Sequence, residues 1–216
     1  MAATHNDRKS RRTVIPDRWD LTDLVKDPLR QLDAHLSAIE AQVTQIESTR
    51  ATLSPALSGK DFSSILHLSE SVTHSASRLG AYAYLWFSEN TGDSKARSFK
   101  TNVEERLTGL QNRLLFFELW WQSIDEKNAD RLLDGSGDVR YHLETIRRHK
   151  PHTLTEPEEK IINVKNVTGR SAVNTLYDVV TNGLTFTMRV GGKKKVLNRE
   201  GLMTHVRSPK ASVRQA

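Results

Sequence analysis

Cysteine and long apolar runs are both missing from this chain of 216 residues. The absence of cysteine excludes disulfides, thiolate zinc sites and cysteine nucleophiles, and it agrees with a reducing compartment. No apolar run approaches the roughly eighteen residues of a membrane span, and no apolar segment follows the basic N-terminus as it would in a signal peptide. We therefore predict a soluble, cytoplasmic protein with no membrane partner.

The usual sequence signatures of a catalytic centre are missing as well. The stretch VGGKKK, residues 190–195, lacks the Walker spacing and does not lie between a strand and a helix. There is no G-x-S-x-G, and no Ser/His/Asp set can be located from spacing. Within residues 1–216 we therefore assign no catalytic residue and no metal ligand, and the substrate-binding residues stay unassigned.

Basic charge is concentrated at the two ends of the chain. The net charge of +6 suggests a nucleic-acid partner until it is divided along the sequence. Residues 1–18 carry five Lys/Arg against two acids, residues 193–216 carry seven against one, and residues 19–192 carry 20 against 23. No recognition-helix or RNP-like pattern accompanies either end. We predict a flexible basic arm over residues 1–18 and no nucleic-acid partner.

Three long amphipathic helices are predicted in the first part of the chain. Apolar positions spaced by three and four run from Pro28 to Leu57. A second series opens just after Asp61, which is a good N-cap, and closes before the turn ENTGD, while a third covers residues 96–121. The short turn makes the last two helices antiparallel. The predicted fold class is mainly α, with long antiparallel helical hairpins in a bundle.

The second part of the chain is predicted to hold shorter elements. SIDEKNADRLL and DVRYHLETIRRH indicate two short helices, and a longer one runs from about Glu156 to Val180. Alternation with period two near residues 184–197 predicts one small β-hairpin. Asn198 and Ser208 are candidate caps of two last short helices. These elements define three predicted regions: the basic arm 1–18, a helical N-terminal lobe 19–183, and a segment 184–216 leading toward a further domain.

The stretch HLETIRRHKPHTLTEPEEKII, residues 142–162, contains His142, His149 and His152 among several glutamates. A zinc pair requires two histidines one turn apart on an unbroken helix. His149 and His152 have that spacing, but Pro151 lies between them and should end the helix. We therefore interpret the stretch as a joint between two helices and not as a metal site.

The glutamates of the same stretch have structural explanations. Thr155 is predicted to cap the second helix, with Glu158 at the capping-box position. Glu156, Glu158 and Glu159 lie where the helix dipole favours negative charge, and Glu156 can pair with Lys160 one turn later. These roles leave no acid that needs a metal to explain it.

A second candidate metal set consists of His67, Glu70 and His74, which share one helical face. The arrangement is similar to ligand sets of carboxylate-bridged di-metal bundles, whose ligands point into the bundle. Here the core positions of the helix are taken by apolar residues, so the three polar side chains should face solvent. The two histidines are also roughly 10 Å apart along the axis, too far to hold one ion together.

Aromatic residues are concentrated near the ends of the predicted helical hairpin, where core packing is the expected role and an exposed tryptophan could line a groove. They are Trp86, Phe87, Phe116, Phe117, Trp120 and Trp121.

Four stretches carry a family resemblance: RWDLTDL near the start, RHKPHTLTEPEEKII, TGRSAVNTLYDVVTNGLTF, and the closing LNREGLMTHVRSPKASVRQA. In this order and spacing they resemble the N-terminal part of the oligoendopeptidase F group of M3 zinc metallopeptidases. The likeness spans nearly the whole chain. Val173 departs from the family pattern, since many members carry an aromatic residue there, and the departure concerns packing rather than chemistry.

The resemblance implies a zinc enzyme whose catalytic residues lie outside this chain. In the family, zinc is held by the two histidines of H-E-x-x-H and a later Glu, all well downstream of the matched region, so none is carried over to residues 1–216. Zinc is thus implied for a full-length enzyme and no cofactor for this chain. The resemblance also implies a helical lobe that packs on a catalytic lobe and walls a deep channel admitting oligopeptides.

Two hypotheses therefore stay open. In the first, the chain is the N-terminal lobe of a zinc oligoendopeptidase, is inert alone and lacks its catalytic lobe, which an unpaired apolar face and a half-finished last helix favour. In the second, it is a stand-alone helical scaffold that binds an acidic partner through its basic ends. Stable monomeric folding and salt-sensitive binding favour the second.

Overall fold

A computed structural model describes residues 19–215, and the predicted basic arm over residues 1–18 lies outside them. Three long helices form the first part of the described chain: α1 (Pro28–Ser48), α2 (Gly59–Glu89) and α3 (Ser94–Ser123). The three helices pack on one another, and α2 and α3 form a hairpin joined by a short turn. The mainly α prediction is confirmed.

The core of the bundle comes from the apolar stripes that the sequence spacing indicates. These residues are nearly withdrawn from water, and on α1 they recur at intervals of three or four. The buried stripe residues include Leu36, Ile39, Val43 and Ile46 on α1, Phe62, Ile65, Val72 and Leu79 on α2, and Phe99, Val103 and Phe116 on α3.

The connection between α1 and α2 corrects two predictions. The first helix ends at Ser48 and does not continue to Leu57, because hydroxyls bond to its last carbonyls and stop the ladder. Ser48 Oγ donates to Gln45 O at 2.7 Å, and a 3₁₀ turn (Arg50–Thr52) follows. Leu57 lies in the loop before α2 and is nonetheless buried.

The second helix starts before Asp61 and is capped by a different residue. Ser58 is the N-cap, and its Oγ accepts a hydrogen bond from Asp61 N at 3.1 Å. Asp61 lies in the first turn, where its carboxylate accepts from Ser58 Oγ at 2.7 Å. The prediction placed the helix start too late because Ser and Asp, both good capping residues, lie three positions apart here.

Two short helices then lead back along α3. Helix α4 (Glu126–Leu133) and helix α5 (Arg140–Arg148) are separated by a turn in which Gly137 has a φ of 53°, a conformation that favours glycine. Buried Trp121 fixes α5 to the end of α3, since its Nε1 donates to Leu143 O at 2.9 Å. Arg147 does the same from α5, donating to Trp121 O at 2.7 Å.

The last part of the chain begins with a long helical stretch that we name the interrupted helix. It consists of α6 (Glu156–Asn166) and α7 (Ala172–Gly183), which are joined by a π-helical turn (Val167–Ser171). It is followed by the predicted hairpin of strands β1 (Thr185–Val190) and β2 (Lys193–Asn198), antiparallel with Thr185 opposite Asn198. Gly191 and Gly192 turn the hairpin at φ 57° and 78°.

Two short helices close the described chain, α8 (Arg199–Val206) and α9 (Ala211–Arg214). Asn198 caps α8 as predicted, accepting from Gly201 N at 2.8 Å. The prediction for Ser208 was wrong. The N-cap of α9 is Lys210, and Ser208 Oγ accepts from Lys210 N at 3.3 Å, so it shapes the turn before the helix.

Candidate functional site

The stretch with three histidines is a joint in the structure. Helix α5 ends at Arg148, a 3₁₀ turn (Lys150–His152) containing Pro151 follows, and α6 begins at Glu156. The proline break is therefore confirmed. The histidines of this stretch, His142, His149 and His152, are all exposed.

The capping glutamates of the joint have the partners that the sequence indicated. The Glu158 carboxylate accepts from Thr155 N at 2.9 Å and from Thr155 Oγ1 at 2.6 Å, and these bonds lower the pKa of Glu158. The Glu159 carboxylate accepts from Leu154 N at 2.9 Å. These bonds satisfy backbone donors that a helix start otherwise leaves open.

The third glutamate of the joint binds it to the bundle. Glu156 lies 2.7 Å from Lys160 Nζ and 2.7 Å from Arg50 Nη2, and the two cations lower the pKa of Glu156. The Arg50 guanidinium also lies 5.0 Å from the ring centre of Phe116. The start of α6 is thus held against the turn that follows α1.

The second candidate metal set faces solvent. His67 Nδ1 lies 3.3 Å from Glu70 Oε2, and these side chains are 77 % and 53 % exposed. His74, two turns from His67, is exposed as well. Over residues 19–215 the structure brings together no three His, Asp or Glu side chains suited to a metal ion. The described donor groups are therefore not arranged like the zinc ligands that the family resemblance implies outside this chain.

The aromatic residues pack in two groups at opposite ends of the α2–α3 hairpin, so the core-packing interpretation is confirmed. One group joins Trp86 to Tyr82 and Phe99, with ring centres 5.3 to 6.2 Å apart. The other surrounds Phe62, whose ring lies 5.1 to 6.1 Å from the rings of three aromatic residues at the end of α3, Phe117, Trp120 and Trp121.

The long interrupted helix contacts α3 through polar groups. Lys100 on α3 is only 5 % exposed; its ammonium lies 2.7 Å from Glu104 Oε1 and donates to Thr175 Oγ1 on α7 at 3.3 Å. Glu104 Oε2 accepts from Ser171 Oγ in the π turn at 3.2 Å. Farther along, Asn163 Nδ2 on α6 donates to Asn112 Oδ1 on α3 at 2.8 Å.

The apolar side chains of this helix lie on the other side, in contact with solvent. On α7 they occur at intervals of three and four, as in a helix that buries one face. Neither α6 nor α7 contains a fully buried residue. The set, which we name the outward face, consists of Ile161, Val164, Val173, Leu176, Tyr177, Val180 and Leu184, each between 47 % and 64 % exposed.

The outward face is unusual because an amphipathic helix on a folded domain normally directs its apolar side inward. Here the polar side meets the bundle and the apolar side does not. The exposed charged residues among positions 161–184 are Lys165 and Arg170, both basic. Asp178, which is half-buried, is the acid within these positions. The surface is mainly apolar, and it is suited to pack against another apolar surface.

A groove of about 580 Å³ lies between α2, α3 and α5, and Asn163 of α6 lies at its edge. Its apolar wall is formed by Leu66, Leu114, Phe117, Trp121, Leu143 and Ile146. Polar side chains on its border include Glu70 and His74 from α2, Glu118 from α3 and His142 from α5. Among the described residues, no lysine or arginine lines it.

Glu118 is the groove residue whose carboxyl pKa is raised. Although the residue is exposed, the surrounding side chains withdraw enough water to raise its pKa, and the negative charge of Glu159 raises it further. The imidazoles of His142 and His149 act in the opposite direction. A cation placed in the groove would therefore stabilise the ionised form of Glu118.

Comparison with known proteins links these features to a family. Residues 120–186 match the family model of the N-terminal region of M3 peptidases, described as oligopeptidase F. The predicted resemblance is confirmed. The matched segment includes the joint, the whole interrupted helix and the whole outward face. A comparison with curated protein sequences finds no significant match.

The fold is also similar to that of a solved structure. The crystal structure of oligoendopeptidase-F from Enterococcus faecium superposes with a TM-score of 0.70 at 14 % sequence identity. The match covers 86 % of this chain but 36 % of that one, so the chain spans about a third of the oligoendopeptidase-F that it resembles. No helix over residues 19–215 has the length and apolarity that crossing a membrane requires.

Sequence reasoning expected an unpaired apolar face without locating its residues, and it did not identify the groove. For the outward face a signal was present, since Val173, Leu176, Tyr177 and Val180 are spaced as one helical face. Spacing alone predicts that such a face is buried, not that it lies outside. The groove had no signal, because its residues come from four helices, α2, α3, α5 and α6, that are separate in sequence.

Proposed function

We propose that the chain forms the N-terminal helical lobe of a zinc-dependent oligoendopeptidase F-type enzyme. In this proposal it walls the peptide channel and is inert without the catalytic lobe. The observation that carries the proposal is the outward face, an apolar helix surface exposed within the segment that matches the peptidase family. Burying such a surface needs a partner polypeptide.

Zinc, in such an enzyme, would supply a polarised water for peptide hydrolysis. The described residues of this chain are assigned no part in holding it, because His67 and Glu70 face solvent and the glutamates of the joint bind backbone donors or basic side chains. Their proposed role is to exclude folded proteins and admit flexible oligopeptides. The helical lobe over residues 19–183 would form the wall, and the segment 184–216 would lead to the catalytic lobe.

The solution behaviour of the purified chain tests this proposal. If a partner normally covers the outward face, the chain should bind the dye ANS and associate at micromolar concentration. Replacing Leu176 and Val180 together by lysine should lower ANS fluorescence by about threefold and shift sedimentation toward the monomer. Leu29→Lys is the matched control, since Leu29 is an equally exposed leucine (60 %) outside the outward face.

A chain that stays monomeric and binds no dye would contradict the proposal and favour the stand-alone scaffold. The gene supplies an independent test, because an H-E-x-x-H motif encoded downstream of codon 216 is expected. Adding the polypeptide that carries this motif should suppress dye binding, and any peptidase activity of the mixture should be lost with a chelator.

A further inference from the structure

The groove between α2, α3 and α5 combines an apolar wall with carboxylates on two of its sides. Leu66, Leu114, Leu143 and Ile146 give it space and surface for an apolar side chain, and about 580 Å³ is the size of a small-ligand site. An apolar cavity of this kind selects ligands by the few polar groups at its border.

The charged groups at that border favour a cation. Glu70 on α2 and Glu118 on α3 face the groove, whereas its lining contains no lysine or arginine among the described residues, in a chain with 32 of them. The imidazoles of His74 and His142 add hydrogen-bonding groups. An anion would be repelled by these carboxylates.

Groups that can bind a peptide backbone are also present. Ser69, Thr73 and Gln111 line the groove, and Asn163 reaches it from α6 while its Nδ2 donates to Asn112. The Asn163 Oδ1 and the two hydroxyls are therefore available for main-chain N–H and C=O groups. Such groups give orientation to an extended segment rather than to an isolated ion.

We propose that this groove binds a short linear peptide that carries a guanidinium or ammonium group next to an apolar side chain. The apolar side chain packs on Leu66, Leu114 and Ile146, and the cation lies between Glu70 and Glu118. This inference does not depend on the proposed peptidase function, because the side chains that would hold the ligand are on α2, α3 and α5 and do not belong to the outward face.

The test is an NMR titration of the labelled chain at pH 8 with N-acetyl-leucyl-arginine amide. Saturable shifts are expected for amides of α2, α3 and α5 around the groove, with a dissociation constant on the order of 1 mM. The citrulline analogue, which has the same shape without the charge, should bind about fivefold to tenfold more weakly.

The variant Glu118→Gln should weaken arginine-peptide binding by about the same factor and leave citrulline-peptide binding unchanged. Glu105→Gln, at an exposed carboxylate of α3 outside the groove, is the matched control and should change neither. Equal affinity for both peptides, equal effects of the two variants, or no saturable shifts up to 10 mM peptide, roughly tenfold above the expected constant, would each overturn the proposal.

Discussion

Lys100 shows how one buried charge helps to fix a helix whose apolar side faces solvent. Its ammonium lies between Glu104 and Thr175 and 5.7 Å from the ring centre of Phe87. Lys100→Ala removes these interactions and leaves Glu104 with only Ser171. Because Glu104 is 34 % exposed and can be rehydrated, we expect a loss of about 2 kcal/mol in the free energy of unfolding, measured in urea.

The double variant Lys100→Met with Glu104→Gln should recover part of that loss, because no buried charge is left without a partner. Lys165→Ala serves as the control. Lys165 is exposed on α6, part of the interrupted helix, and its removal should change stability by less than about 0.5 kcal/mol. A Lys100→Ala variant as stable as this control would show that the polar contact with α3 does not hold α7.

Arg113 connects α1 to α3 and makes stability depend on pH. Its guanidinium lies 2.6 Å from Glu47 Oε2 and 2.7 Å from Glu40 Oε1, and the bonds to Arg113 lower the pKa of Glu47. A depressed carboxyl pKa stabilises the fold above the unfolded value, and this contribution disappears as pH falls through the folded value.

We therefore expect Arg113→Gln to cost about 1 to 2 kcal/mol at pH 7 and progressively less toward pH 3. Urea unfolding of both proteins across this range measures the difference. Arg30→Gln, at an exposed position near the start of α1, should give a small difference that does not vary with pH. A cost for Arg113→Gln that stays constant down to pH 3 would contradict the coupling to Glu47.

At the scale of the element, the start of α6 is a separate capped unit. Thr155 contributes both its N–H and its hydroxyl to Glu158, and this pair defines where α6 begins. Thr155→Ala should reduce stability by about 1 kcal/mol and raise amide exchange in the first turn of α6. The effect should stay local, because α5 is fixed separately by Trp121 and Arg147.

Thr101→Ala, on the exposed side of α3, is the control for this prediction. Alanine at this position should leave the free energy of unfolding unchanged or raise it by about 0.5 kcal/mol at most. If Thr155→Ala instead raises exchange throughout α5 and α6, the joint and the two helices unfold together. The joint would then be one cooperative element rather than a capped boundary.

At the scale of the whole molecule, the described donor groups predict that the chain alone binds no zinc tightly. His149 and His152 are separated by a proline turn, and His67 and His74 face solvent two turns apart. We expect equilibrium dialysis to find no stoichiometric zinc and a quenched-peptide assay to find no turnover. Tight zinc binding, or chelator-sensitive hydrolysis that copurifies with this chain, would refute both this prediction and the assignment of catalysis to another lobe.

The sequence alone determined most elements of this protein. Apolar spacing located the three long helices, Pro151 located the break after α5, and Gly191 with Gly192 located the hairpin turn. These features depend on local backbone preferences and on side chains a few positions apart, so they can be inferred without knowledge of the fold. The errors at Leu57, Asp61 and Ser208 concern helix ends, where several capping residues compete.

Only the tertiary structure decided which side of α6 and α7 meets the bundle. Local spacing identifies an apolar face, but burial depends on what lies opposite, and Lys100, Glu104 and Asn112 on α3 present polar groups to this helix. The apolar face is consequently turned to solvent. The groove also depends on the tertiary structure. Glu70, Glu118 and His142 line it together only because α2, α3 and α5 pack against one another, and their positions in the sequence do not indicate that they meet.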